Sequence, residues 1–259
     1  LSYNIVFFDI DGTLLNLDHQ IPADTKEAIA QLKRQGVHVA IATGRSPYHL
    51  KPVADELGID TYVSFNGSYV VADGEVVFSR SLPREALGAL EDLARQRAHP
   101  MVFLGAENCY ANQENHAHVL ASFAHLRLGA PECRPGYWRE SEVYQAFLYC
   151  TQEEEEHYLT QFTDVSYVRW HPFVMDVLPK GGSKADGIEA LLRYYGIPAS
   201  QAVAFGDGLN DKEMLAFVGM GVAMGNAHQD LLPYADLMTR HVNEGGIRHG
   251  LQAIGLLEG

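Results

Sequence analysis

The sequence predicts an α/β protein: a doubly wound parallel sheet whose chain is interrupted by an inserted α+β segment. Short unbroken apolar runs at residues 5–8, 37–42 and 202–205 read as strands buried on both faces, the kind found inside a parallel sheet. Amphipathic helical stretches alternate with such runs in the first and last thirds of the chain, which is the rhythm of a doubly wound fold. In the middle third that rhythm gives way to hairpins and paired strands. The expected organisation is therefore a core from residues 1–81 and 182–259, with residues 82–181 inserted as a second, α+β domain.

The opening strand runs into Asp9-Ile10-Asp11-Gly12-Thr13. A helix over residues 22–35 follows, because Ala28, Ile29 and Leu32 share a face, Pro22 suits the first turn and Gly36 suits the stop. The second strand, residues 37–42, runs into Thr43-Gly44-Arg45; Ser46 then offers an N-cap and Pro47 a first-turn residue for a helix to Leu57, closed by Gly58. A third strand over 62–65 ends in Asn66-Gly67, and residues 69–71 and 75–78 flank Ala72-Asp73-Gly74 as a hairpin.

In the middle third the pattern predicts a helix over 83–96, strands over 101–104 and near Cys109, and a helix bearing His116, His118, Leu120 and Phe123. A strand over 146–150, a helix through 153–162 and strands over 167–170 and 173–178 follow. The order helix, strand, strand at both ends marks a pseudo-repeat, expected to form one small sheet with helices on one face. The run Glu153-Glu154-Glu155-Glu156 reads as a solvated helix start favoured by the macrodipole. His116 and His118, two apart on a helix, should diverge and read as surface or packing residues. Gly181-Gly182-Ser183-Lys184 marks the return, to a helix with Ile188, Leu191, Leu192 and Tyr195 on one stripe. The strand over 202–205 runs into Gly206-Asp207-Gly208-Leu209-Asn210-Asp211, and a helix over 212–218, a strand over 221–224, a helix over 229–234 and a strand near Leu237 complete the alternation.

Composition narrows the partners. Of 259 residues 47% are hydrophobic and 20% charged, as in a globular protein with ample core. Lys and Arg number 19 against 33 Asp and Glu, and the formal charge of -14 argues against duplex nucleic acid or an anionic membrane, which want a basic footprint. Cys109, Cys133 and Cys150 are odd in number and lack metal-ligand spacing, so neither a disulfide framework nor a zinc site is indicated. No signal-like start and no bilayer-length apolar segment is seen. A cytoplasmic protein, monomer or homodimer, acting on a small molecule is expected.

Polar clusters follow the buried strands, at the sheet edge where open parallel sheets bind their ligands. If the extended conformation persists beyond residue 8, Asp9 and Asp11 project to one side and Gly12 lets the chain turn away. Two adjacent carboxylates repel unless a cation lies between them, and a hard divalent ion such as magnesium is the natural candidate. Taken alone, Asp11-Gly12 is also an ordinary turn dipeptide, Thr43 a residue leading into a helix, Lys184 a solvated lysine and Asp207-Gly208 a turn. A calcium loop fits poorly, since Leu14 stands where that loop needs glycine and Gln20 where it needs glutamate. Together, Asp9 with Asp11, Thr43, Lys184, and Asp207 with Asp211 supply what phosphoryl transfer requires: a nucleophile, a proton carrier, cations over the equatorial oxygens and orienting donors.

In order, Asp9-Ile10-Asp11-Gly12-Thr13, Thr43 after an apolar strand, Lys184 before a helix, and Gly206-Asp207-Gly208-Leu209-Asn210-Asp211 resemble the four motifs of the haloacid dehalogenase-like phosphatases. The insertion between the second and third motifs resembles the type IIB cap of the Cof subfamily, so the resemblance covers essentially the whole chain. It implies a Rossmann-like core and a magnesium-dependent phosphatase that hydrolyses small phosphorylated metabolites, sugar or cofactor-type phosphates, through an aspartyl-phosphate. It implies Asp9 as nucleophile and Asp11 as proton carrier. Magnesium would be held by Asp9, the backbone carbonyl of Asp11 and Asp207, with Asp211 as ligand or outer anchor. Thr43 and the Gly44 amide would hold phosphate oxygens, Lys184 would offset their charge, Asn210 would orient the phosphate, and Arg45 and Asn66 would add contacts. The cap is expected to close over the core edge and choose the substrate, with Trp170, His171, Phe173 and Asp176 as candidates. A phosphomutase of the same type and a low-turnover phosphometabolite-binding protein are the rival readings; steady magnesium-dependent phosphate release distinguishes the latter.

Overall fold

The computed structural model describes residues 2–258 and separates into two units. The first holds Leu1–Arg45, His49–Phe78 and Ser183–Gly259; the second holds Ser46–Tyr48 and Ser79–Gly182. In chain order the elements up to residue 79 are β1 (Ile5–Phe8), α1 (Ala23–Arg34), β2 (His38–Ala42), α2 (Pro47–Leu57), β3 (Tyr62–Ser64), β4 (Tyr69–Ala72) and β5 (Glu75–Ser79), all in the first unit but for the first turn of α2 and the last residue of β5. The second contributes α3 (Arg84–Gln96), β6 (Met101–Leu104), β7 (Cys109–Ala111), α4 (Ala117–His125), β8 (Glu132–Cys133), α5 (Tyr137–Glu140), β9 (Gln145–Leu148), α6 (Glu156–Leu159), β10 (Val165–His171) and β11 (Val174–Pro179). The return is α7 (Lys184–Tyr195), β12 (Ala202–Gly206), α8 (Lys212–Phe217), β13 (Met220–Ala223), β14 (Leu237–Met238) and α9 (Gly246–Ala253).

The first unit's sheet has the order β14-β13-β12-β1-β2-β3-β4-β5. β1 pairs in parallel with β2 on one side and β12 on the other, so the chain leaves the centre in one direction and comes back to build the opposite half. Such a reversal opens a crevice at the carboxyl ends of the central strands. The unbroken apolar runs are explained by burial on both faces. Ile5 and Phe7 face Ala40, Ala42, Ala202 and Ala204 and the stripe Ile188, Leu191 and Leu192 of α7. Val6 and Phe8 face Val39, Ile41, Val203 and Phe205, packed with α1, α2 and α9. On the alanine side α7 comes very close: a Cβ on Gly187 would lie 2.4 Å from Val63 Cγ1, so only glycine lets the amino end of α7 reach the sheet. Lys184, at that end, is thereby drawn inward.

The second unit is a six-stranded sheet of order β10-β11-β9-β6-β7-β8, antiparallel except for the β7–β8 pair. Met101, Phe103, Ala146, Leu148, Met175 and Val177 pack with Leu87 and Leu90 of α3 and Tyr158 of α6. Helices lie on both faces, not one. Phe147 alternates to the other side, where its ring is 6.1 Å from Phe123 of α4, and Ser122 and Tyr149 hydroxyls meet at 2.8 Å. The helix expected over 153–162 shrinks to one turn, because the Glu154 carboxylate accepts from the Thr151 amide at 2.9 Å and its hydroxyl at 3.0 Å, closing a turn ahead of α6. Glu155 is not a solvated helix-start charge either, since Arg169 Nε donates to it at 2.7 Å. His116 precedes α4 as its cap, accepting from the His118 amide at 3.3 Å, so the two rings approach to 5.3 Å where divergence was expected. No helix among the described residues is long and apolar enough to cross a membrane.

Candidate active site

Each buried strand of the central trio delivers a polar residue at its carboxyl end: Asp9 after β1, Thr43 after β2, Asp207 after β12. The Asp9 amide donates to Phe205 C=O at 3.0 Å and the Thr43 amide to Val63 C=O at 2.9 Å, so sheet pairing carries one step past the strands and anchors both residues. Carboxylate oxygens of Asp9, Asp207 and Asp211 all lie within 4.8 Å of one another. Lys184 bridges two of them, its ammonium donating to Asp9 Oδ1 and to Asp211 Oδ1, each at 2.6 Å, with its side chain 0% exposed. Asp211 uses its other oxygen to accept the amides of Asp207 at 3.0 Å and Gly208 at 2.9 Å, which folds the loop after β12 back on itself. Thr13 donates its hydroxyl to Asp207 Oδ1 at 3.1 Å.

The charge balance is the informative quantity. Three carboxylates and one ammonium leave two negative charges in a buried site. Burial holds Asp9 well above the usual carboxylate range; Lys184 pulls it down, and Asp211, Asp207 and Asp11 push it up. Asp207 is pushed up to about 7, by burial first and then by Asp211. Burial alone would discharge Lys184, but Asp211 and Asp9 outweigh it and raise its pKa, so it stays an ammonium. Such a site takes up either protons or a cation. The donors are carboxylate oxygens, without imidazole or thiolate, which suits a hard divalent ion of the magnesium type.

Asp11 does not join this cluster. The extended conformation ends at Phe8 and the chain turns at once, Gly12 N donating to Leu15 C=O at 2.9 Å and Leu15 N to Ile10 C=O at 2.8 Å, so strand alternation does not reach Asp11 and does not set where its carboxylate lies. The Asp11 carboxylate, 53% exposed, is instead gripped by the Arg45 fork, Nε to Oδ2 at 2.9 Å and Nη2 to Oδ1 at 2.6 Å. Thr43 is buried and accepts the Arg45 amide at its hydroxyl, 3.1 Å away. Asn66 is buried with φ 50°, its amide bonded to Thr43 C=O, and its Oδ1 accepts from Asn210 Nδ2 at 3.0 Å. A Cβ on Gly44 would fall 3.0 Å from the Asn66 side-chain amide, so Gly44, Asn66 and Asn210 also converge.

Two contributors, Gly187 and Asn226, escape the sequence reading, and Gly12 does more than turn the chain. Gly12 has φ +84°, and a Cβ there would lie 2.1 Å from Asp207 Oδ2, so it gives the carboxylate room as well as turning the chain. Gly187 admits α7. Asn226 Nδ2 donates to Gly12 C=O at 2.8 Å while its Oδ1 accepts from the Val242 amide at 2.9 Å, tying the loop after β13 to the loop after β1. Asn226 did carry a signal, for it too lies just past a buried strand. In the second unit, Trp170 Nε1 donates to Asp176 Oδ1 at 2.8 Å, and the Phe173 ring lies between His118 at 4.3 Å and His171 at 4.2 Å, so the four aromatic and acidic candidates there form one cluster.

Comparison with known proteins gives a consistent picture. A family model described as haloacid dehalogenase-like hydrolase matches residues 6–251. The chain is 42% identical to YkrA of Bacillus subtilis (strain 168) over 258 residues, covering 100% of both. It is 30% identical to the HMP-PP phosphatase of Serratia proteamaculans (strain 568), over 96% of this chain and 94% of that one. Among solved structures, BT4131, described as a sugar phosphatase of HAD subclass IIB, superposes with a TM-score of 0.89 at 32% identity, over 98% of this chain and 100% of that one.

Proposed function

The chain belongs to the haloacid dehalogenase-like hydrolases and is a phosphatase, and from that premise we propose that it hydrolyses small phosphorylated metabolites with Asp9 as nucleophile and magnesium as cofactor. The observation that carries the reading is the triad of carboxylates within 4.8 Å, two of them sharing the buried ammonium of Lys184. Magnesium, when bound, would neutralise the excess charge and polarise a phosphate oxygen. Asp9, Asp207 and the Asp11 carbonyl would hold it, with Asp211 as ligand or anchor.

The first half-reaction forms a bond between an Asp9 carboxylate oxygen and phosphorus and breaks the bond from phosphorus to the ester oxygen; a protonated Asp11 gives its proton to that leaving oxygen. In the second, Asp11 takes a proton from water, the water oxygen attacks phosphorus, and the Asp9–phosphorus bond breaks to release phosphate. For both steps Asp11 must leave the Arg45 fork. Lys184 works against burial at Asp9, pulling its carboxyl toward the ionised form that the attack needs. Thr43 and the Gly44 amide would receive phosphate oxygens, and Asn210 would orient the group. The inserted unit would select the ester, and the sugar and HMP-PP phosphatases among the relatives favour sugar or cofactor-type phosphates.

The test pairs a substitution with metal removal. Asp9→Asn should abolish phosphate release while circular dichroism stays that of the parent, and chelation of the parent should abolish release until magnesium is restored. Turnover by Asp9→Asn at the parental rate, or full activity of exhaustively stripped protein, would refute the assignment.

A further inference from the structure

The residues Phe65-Asn66-Gly67 do something costly beside the site. All three take positive φ, 49°, 50° and 101°, and all three are buried. Glycine accepts that conformation readily and asparagine tolerates it, but for a phenylalanine it is strained, and such strain persists only where the surroundings over-determine it. Here they do. The Phe65 amide donates to Arg45 C=O and the Asn66 amide to Thr43 C=O, each at 3.0 Å, which fastens the turn to the segment after β2. Gly67 presses on the start of α7 so closely that a Cβ would lie 1.9 Å from Ser183 C=O, the residue before Lys184. The Asn66 side chain closes the arrangement by packing on Gly44 and accepting from Asn210 Nδ2 at 3.0 Å.

We infer that Asn66 is a positioning residue for phosphate, acting through Asn210 and Gly44 and not as a phosphate ligand itself. The strained turn touches the three chain segments that bring Gly44, Lys184 and Asn210 to the site, and Asn66 is the point where two of them are joined by side-chain contact. A side-chain amide held at one N–H keeps its plane, so the rest of the Asn210 amide stays aimed without being ordered anew at each turnover; pre-organisation of this kind is where bound-state entropy is saved. Asparagine meets both demands, since it tolerates the left-handed backbone and presents an acceptor oxygen at that distance. This rests on the proposed role of Asn210 in holding phosphate.

A double-substitution cycle with p-nitrophenyl phosphate as substrate and inorganic phosphate as inhibitor tests it. Asn66→Gly keeps the left-handed backbone and deletes the side chain; Asn210→Ala deletes the partner. Each alone should lower kcat/KM about tenfold, the equivalent of one hydrogen bond, and should weaken phosphate inhibition in step. The double variant should be within about twofold of Asn210→Ala alone, because the second loss has nothing left to act through. Multiplying losses, or an unchanged inhibition constant beside a lowered melting temperature in Asn66→Gly, would overturn the inference and leave Asn210's role standing. An Asn210→Ala enzyme as active as the parent would overturn the inference together with that role, while Asp9 would still be judged by Asp9→Asn. Should Asn66→Gly fail to fold, Asn66→Asp retains the backbone preference and the accepting oxygen. It should lose about tenfold or less, whereas a residue in direct contact with a phosphate dianion would lose more than about a hundredfold through repulsion.

Discussion

Lys184→Met removes the ammonium that Asp9 and Asp211 share and leaves an unbranched side chain of similar length in its place. Two contacts of 2.6 Å disappear while both carboxylates stay buried, so the site passes from two net negative charges to three. Removing one partner of a buried pair typically costs about 3–5 kcal/mol. At about 2–4 °C per kcal/mol for a chain of this size, the melting temperature should fall by roughly 6–20 °C in chelator at about pH 8. The penalty should depend on pH in a definite direction. Asp9 is raised and Asp207 stands at about 7, both above the ordinary value of 3.8 that the unfolded chain shows. Carboxyls of this kind bind more protons folded than unfolded, so they add stability as pH falls and withdraw it as pH rises from about 4 toward about 7. Losing Lys184 raises them further, so the gap between variant and parent should be narrower at about pH 5 than at about pH 8. Magnesium should restore part of the loss at the higher pH, since it binds the folded site alone. Circular-dichroism melts of both proteins, with chelator and with magnesium, read all of this. A variant melting within about 3 °C of the parent in chelator at about pH 8 would refute the picture of Lys184 as the buried counter-ion.

Two further substitutions probe the supports around the carboxylates. Gly12→Ala places a methyl where 2.1 Å separates it from Asp207 Oδ2, at a φ of +84° that alanine resists; phosphate release should then need about tenfold more magnesium or worse, as found for groups that orient metal ligands, and an unchanged magnesium titration would count against Asp207 as ligand. Asn226→Ala frees Gly12 C=O and leaves the Val242 amide unpaired; a cost of about 1–3 kcal/mol in urea unfolding and a fall in kcat/KM are expected, and no change in either would mean that the two loops hold their places unaided.

The sequence by itself determined the order of the core strands, because burial on both faces of a parallel sheet writes itself as unbroken apolar runs such as Ile5–Phe8, but it did not show α9, and the helix expected over 229–234 is a 3-10 segment with Pro233 inside it. It also put Asp9, Thr43 and Asp207 just past those runs. Elements whose ends are set by side-chain bonds were less legible: residues 153–162 carry a helical composition, yet the Glu154 carboxylate closes a turn on Thr151 and leaves only Glu156–Leu159.

What the tertiary structure alone decided is which polar groups meet. Asp9 and Lys184 are 175 positions apart, and Asn226 and Gly12 are 214 apart, so no local period relates them. Their meeting depends on β1 pairing with both β2 and β12 and on Gly187 letting α7 close on the sheet. For the same reason Asp11, only two residues from Asp9, left the carboxylate cluster for Arg45. Strand alternation would have kept the two acids together, but alternation lasts only as long as the ladder, and the ladder ends where Gly12 and Leu15 turn the chain.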